Sequence, residues 1–299
     1  MKLINRNCPV CKRHSKFSKL HLKLNVNKNQ ISSSTFSSRK IPEFMNFEMV
    51  KCNFCKLIYS SKIPNLKTIT NLYSQSLFLS SLDSEMAARN YYHYIKKYLD
   101  FKKKNYALEI GAGNGIFLKF IKKLGFKNLL GIEPSVSAVK SAPKYRRKFI
   151  KRGFFDDIKL KKNSYDLVCC FMTMEHVYDP AKLISKVFKL LNKGGQLVLV
   201  THDCDYFIHK LLKKKSPIID IEHLQLFSTK TLRYFLKKRK FKEVRVVPIS
   251  NTYSSYYWAQ LLPLPLGLKL FMLKIIKFLR ISKINLSLNV GNIMTVATK

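Results

Sequence analysis

The sequence predicts an α/β protein built on a doubly wound, mostly parallel sheet. Three observations predict it. After Lys104, short apolar runs alternate with amphipathic helical segments. A glycine-rich turn, Glu109-Ile-Gly-Ala-Gly-Asn-Gly115, joins the first apolar run to a helix. A carboxylate, Glu133, ends the next run, 22 residues after Gly111. In an open sheet of this kind the ligand site lies at the carboxyl ends of the strands.

The elements follow in order. Tyr106 to Ile110 reads as a strand ending in the glycine turn, Ile116 to Leu124 as a helix, and Leu129 to Glu133 as a second strand. Strands are then expected near Lys148 to Lys151 and at Tyr165 to Phe171, a helix at Ala181 to Leu191, and a strand at Gln196 to Thr201. His202 to Ser228 reads as a long loop or helical insertion, followed by a helix from Thr229 to Lys238 and a strand from Val244 to Ile249. Asn292 to Thr298 closes the sheet. Upstream, the spacing of Leu, Phe, Met and Tyr from Leu72 to Leu99 suits helices that cap the sheet domain. The Ser-rich stretch within Asn25 to Lys40 reads as a loop or hairpin.

Between the last two strands lies an apolar insert, Tyr256 to Leu288. Within it Lys269, Lys274, Lys277, Arg280 and Lys283 share a broad helical face opposite Leu270, Phe271, Leu273, Ile275 and Phe278. The preferred reading is a helical lid packed on the domain by its apolar face. Peripheral contact with an anionic membrane is the alternative. The expected division is thus a metal-binding module over 1–65, a helical cap over 66–104, a ligand-binding core over 105–255, the insert over 256–288 and a last core strand over 289–299.

Composition sets the bounds. With 46% hydrophobic residues in 299, the chain can bury a sizeable core. No stretch gives about 18 uncharged apolar residues in a row, and Met1 to Val10 lack a continuous apolar run. The expected location is cytoplasmic, with contact at the inner face of the membrane left open. The net charge of +39 invites a nucleic-acid reading. Only 11 of the cations are arginines, however, and guanidinium is the better group for forked phosphate and base contacts. Nucleic acid is therefore an open but less favoured partner, and the oligomeric state is left open.

Cys8-Pro-Val-Cys11 and Cys52-Asn-Phe-Cys55 are two C-x-x-C pairs. That spacing lets two thiolates of one turn reach a tetrahedral ion at about 2.3 Å. Four such ligands close the coordination shell, so a structural zinc is expected, although the 40 residues between the pairs exceed the usual spacing. Reduced thiols in the expected compartment disfavour disulfides. Cys169, Cys170 and Cys204 lie in or beside expected core strands.

The glycine turn reads G-x-G-x-G with an acid two positions before the first glycine, which differs from the dinucleotide pattern G-x-G-x-x-G. It resembles the first motif of class I S-adenosylmethionine-dependent methyltransferases. Ser164-Tyr-Asp-Leu-Val168, Met174-Glu-His-Val-Tyr-Asp-Pro180, Leu191-Asn-Lys-Gly-Gly195 and His223-Leu-x-x-Phe follow in that family's order. The resemblance covers roughly 105–250 and the last strand. It implies a seven-stranded Rossmann-like sheet, S-adenosylmethionine as cofactor, and a methyltransferase. It further implies that Glu109, Gly111, Gly113 and Gly115 hold the methionine part, Glu133 the ribose, and Asp156 or Asp157 the adenine.

The cofactor's sulfonium carries the activation, so the protein has to align an acceptor and exclude water. A hydroxyl acceptor also needs a base. His176, after the fourth strand, is the first candidate and His223 the second. The expected acceptor is a small molecule, a sugar or lipid-linked hydroxyl first. An RNA acceptor and a non-catalytic S-adenosylmethionine-binding interaction protein are the rivals.

Overall fold

The computed structural model describes residues 2–26, 31–37, 43–78, 81–99 and 101–299. Part of the Ser-rich stretch, 27–30 and 38–40, lies outside them.

The chain begins with β1 (Leu3–Asn5), β2 (Ser18–Leu22), β3 (Met49–Cys52), β4 (Ile58–Ser60) and β5 (Lys62–Pro64), then α1 (Leu66–Ser74) and α2 (Ser81–Tyr98). The sheet domain follows as β6 (Tyr106–Ile110), α3 (Ile116–Lys123), β7 (Asn128–Glu133), α4 (Val136–Ser141), α5 (Lys144–Arg147), β8 (Ile150–Arg152), β9 (Tyr165–Phe171) and α6 (Pro180–Leu190). After these come β10 (Leu191–His202), α7 (Phe207–Leu212), β11 (Gln225–Leu226), α8 (Thr229–Lys238), β12 (Lys242–Ser254), α9 (Ser255–Leu261), α10 (Leu266–Phe278) and β13 (Asn285–Thr298).

Seven strands form one sheet in the order β12-β13-β10-β9-β6-β7-β8. β10, β9, β6, β7 and β8 pair in parallel, and β13 runs antiparallel to both β10 and β12. The expected α/β, doubly wound, mostly parallel seven-stranded fold is what forms. β9 shows why: every residue of Tyr-Asp-Leu-Val-Cys-Cys-Phe is buried, as a central strand covered on both faces requires. Val168 and Cys170 face the side covered by Ile184 and Val187 of α6 with Leu232 and Phe235 of α8. Leu167, Cys169 and Phe171 face Tyr91 and Ile95 of α2 with Phe117 and Ile121 of α3. Helix α6 starts where Asp179 Oδ1 accepts from the Ala181 and Lys182 amides, with Pro180 supplying a first turn that needs no donor.

The amino-terminal strands are not a separate unit. Cys8, Val10, Cys52, Cys55 and Leu57 share one continuous core with Val168, Ile184 and Phe235. A second sheet runs β11-β4-β3-β2, so β11, from within the expected loop 202–228, completes the amino-terminal sheet. Only two residues long, β11 carries no periodic signal.

The insert departs from expectation. β12 and β13 continue as a hairpin through Ser254 and Asn285, so the helical part spans 255–284. On α10, which packs against α9, the buried residues are Lys269 and Leu273, whereas Leu270, Phe271, Ile275 and Phe278 are exposed. Residues 269 and 273, one turn apart, point the same way, and that choice turns the expected apolar face outward.

Candidate active site

A cavity of about 400 Å³ opens at the carboxyl ends of β6, β7 and β9. Glu109, Gly111, Gly113, Glu133, Asp156, Asp157 and His176 line it. Gly115, which heads α3, and His223 are not among its lining residues.

Glu109 ends β6 almost fully buried, and its Oε2 has no hydrogen-bond partner. Burial, aided by repulsion from Glu133, raises its pKa well above the carboxylate range. A buried acid with an unsatisfied oxygen in the wall of a cavity suits a cationic ligand, which would return it to the ionised form. Glu133 differs. Its Oε2 accepts from the Gly113 amide at 2.8 Å and its Oε1 from the Ser135 amide at 2.8 Å. Burial raises its pKa and these two donors oppose the rise. Each oxygen keeps a second lone pair for a ligand hydroxyl.

Gly111 has φ +75°, and a Cβ there would lie 2.3 Å from Thr173 Oγ1. Gly113 has φ +54°, and its nearest obstacle to a Cβ is Phe78 at 3.8 Å. The first glycine is required by packing. The second leaves open space in the cavity, a cradle that a methyl group would fill. Among the described residues, the cavity suits a ligand with one cationic end and a diol.

Asp156 Oδ2 pairs with Lys182 Nζ at 3.1 Å, and Lys182 is the only Lys or Arg among the described lining residues. Phe36, Ile69 and Tyr73 bring apolar surface from the amino-terminal region to the far side.

His176 sits there. Its Nδ1 lies 3.1 Å from the Glu222 carbonyl and 3.2 Å from Tyr73 Oη, whose hydroxyl also donates to that carbonyl at 2.7 Å. A carbonyl only accepts, so Nδ1 carries the proton and Nε2 the lone pair. His223 stands behind it, ring centroids 4.8 Å apart, with Nδ1 2.9 Å from the Ile218 carbonyl. The structure thus brings both histidines together but only His176 reaches the cavity.

The loop carrying His176 is held by residues that reading the sequence missed. Gln225, fully buried, donates from Nε2 to the carbonyls of Met174 at 2.6 Å and Val177 at 2.9 Å. Arg6 donates from Nη2 to Gln225 Oε1 at 2.7 Å and to the Tyr178 carbonyl at 2.6 Å, and from Nη1 to the Leu224 carbonyl at 3.0 Å. Burial lowers the Arg6 pKa to about 10. Arg6, like Arg13, lies beside the first C-x-x-C in a chain with 11 arginines, so no local signal singled it out. Glu175 is fully buried too: its Oε1 accepts from the His202 amide at 2.8 Å, and burial pushes its pKa up to about 7.

The four cysteines of the two C-x-x-C pairs converge. Cys8 and Cys55 Sγ are 3.4 Å apart, Cys11 and Cys52 Sγ 3.6 Å, and all four lie within 4.8 Å of one another. A zinc ion bound at about 2.3 Å to four thiolates sets them about 3.8 Å apart, while a disulfide needs about 2 Å. The sulfurs fit the ion and not the bond. A hydrogen bond from Cys55 pulls the Cys8 thiol below the ordinary thiol range.

A family model described as a methyltransferase domain matches residues 82–246. Two curated relatives named tRNA U34 carboxymethyltransferase, from Campylobacter hominis and Campylobacter fetus, are 25% and 28% identical over 178 residues. That stretch is 57% of this chain and 62% of each relative. A solved structure of an S-adenosylmethionine-dependent methyltransferase from Thermotoga maritima is 22% identical. It covers 73% of this chain and 92% of its own, with a TM-score of 0.50, a likeness of fold.

Proposed function

Because this chain belongs to the methyltransferase-domain family, we propose that it transfers a methyl group from S-adenosylmethionine to an RNA base, with tRNA as the first candidate. One observation carries the cofactor assignment: Glu109, buried with an unpartnered Oε2, lines a cavity whose glycine cradle adjoins Glu133. Glu109 would hold the ammonium, Glu133 the ribose hydroxyls, and Asp156 or Asp157 the adenine amine. The bound cofactor supplies a methyl group already activated on a sulfonium. Tyr73, Phe36 and Ile69 would exclude water at the acceptor end, and His176 Nε2 could take a proton from the acceptor as the acceptor attacks the methyl carbon and the sulfur leaves with the bonding pair as a thioether.

The RNA acceptor is supported by the names of the two Campylobacter relatives and by the net charge of +39. A base taken out of its stack could enter a cavity of this kind, with lysines outside it taking the phosphates. A small-molecule acceptor, a sugar or lipid-linked hydroxyl, is the second reading. It is favoured by the apolar far wall and the single lysine among the described lining residues. The test is transfer of radiolabelled methyl from S-adenosylmethionine to total tRNA and, separately, to small-molecule and lipid extracts. Ribonuclease-sensitive label that falls steeply with salt supports the first reading, label confined to the extracts selects the second, and no label with either overturns both.

The converging sulfurs support assigning a structural zinc to Cys8, Cys11, Cys52 and Cys55. A closed four-thiolate shell has no open position for catalysis, so its part is to hold the turns that frame Arg6.

A further inference from the structure

The insert between β12 and β13 carries an unusual surface. Twelve large apolar side chains between Leu262 and Leu288 are exposed, among them Phe278 at 86%, Leu266 at 63% and Phe271 at 62%. This concentration is far above the scatter normal for a soluble surface. The segment is built and anchored: Trp258 Nε1 donates to the Leu286 carbonyl at 2.9 Å, and Ser255 N to the Ile284 carbonyl at 2.8 Å. Phe207 and Leu211, both exposed, sit on α7, which is tied to the same hairpin by Tyr206 Oη donating to the Asn289 carbonyl at 3.1 Å.

Charge identifies the occupant. No Asp or Glu follows Glu243, while Lys274, Lys277, Arg280 and Lys283 are exposed among the apolar side chains. A second copy would bring the same cations and another +39 against this face. RNA phosphates would match the lysines but leave the aliphatic side chains in water. An anionic bilayer satisfies both, with acyl chains for Phe271 and Phe278 and headgroups for the lysines. α10, of 13 residues, is about 20 Å long, short of the about 30 Å hydrocarbon core, and no helix among the described residues is long and apolar enough to cross a membrane. We propose that residues 262–288 form a docking surface for an anionic membrane, with α10 lying in the plane of the headgroups.

The test is flotation of the full chain with vesicles of phosphatidylcholine alone and of phosphatidylcholine mixed with phosphatidylglycerol. A chain this basic meets anionic vesicles by charge alone, so the deciding variant preserves charge: Phe271→Ser with Phe278→Ser. Binding to the mixed vesicles should fall at least about tenfold in this variant. S-adenosylmethionine binding and the melting temperature should be unchanged, because both side chains are exposed. Unchanged flotation of the variant overturns the proposal. So does a lipid-free dimer of the wild-type chain, seen by light scattering, that the same variant abolishes, since the face would then join two copies.

Discussion

Arg6 Nη2 lies 2.7 Å from Gln225 Oε1, across 219 positions of sequence, and Gln225 in turn holds the carbonyls on either side of His176. The amino-terminal region therefore positions the loop that carries His176. Arg6→Ala should cost about 2–4 kcal/mol, because it leaves two buried acceptors and one part-buried acceptor short of donors. Arg6→Lys should recover only part, since an ammonium cannot fork between the Leu224 and Tyr178 carbonyls. Urea unfolding of both variants checks this; equal stability of Arg6→Ala and wild type would contradict it.

Removing the metal should act through the same connection. Chelation, or Cys8→Ser, is expected to release about one zinc per chain, measured by a colorimetric indicator, and to lower the melting temperature. Acceptor methylation should fall more than S-adenosylmethionine affinity, because Phe36 packs on Tyr73 and Tyr73 on His176. Zinc-free protein with full stability would show that the thiols are not a metal site.

Glu133→Gln replaces an acceptor of two amides by a group with one acceptor oxygen and a donor nitrogen facing an N–H. Titration calorimetry should show S-adenosylmethionine affinity reduced about 10- to 100-fold. Undiminished affinity would place the cofactor elsewhere.

The two cavity glycines should fail differently. Gly111→Ala drives a Cβ into Thr173 at a positive φ, so the chain should be strongly destabilised. Gly113→Ala meets no atom within 3.8 Å and should fold with a penalty of about 1 kcal/mol for its positive φ, yet bind the cofactor weakly. Thermal melts with and without S-adenosylmethionine separate the two outcomes.

Two histidines behind His223 should set the acid limit of stability. Burial holds His202 at about 3 and His209 at about 4, against an ordinary 6.5. Below pH 6.5 the unfolded chain takes up protons that the folded chain refuses, so stability falls as pH drops toward 3. Glu175, raised to about 7, acts oppositely: its contribution falls as pH rises from 4.5 to about 7. His209→Asn should flatten the acid limb by up to about 3 kcal/mol, read from urea midpoints at acid and neutral pH. An unchanged slope would mean that His209 is not protected.

The sequence by itself determined the elements whose signal is local. Tyr165–Phe171 and Thr229–Lys238 fall where apolar runs and helical periodicity place them, and the acid-and-glycine turn and each C-x-x-C pair are short local motifs. Hydrophobic periodicity reports burial, and burial of a central strand needs no knowledge of which neighbour buries it. Only the tertiary structure decided the rest. That β11 completes the amino-terminal sheet, that Arg6 meets Gln225, and that Tyr73 meets His176 103 positions away all depend on where distant segments dock. The orientation of α10 belongs here too, because a helix apolar on most of its surface has no preferred face until a neighbouring element, here α9, supplies a contact. Lys269 and Leu273 took that contact, and the larger apolar side chains were left to face outward.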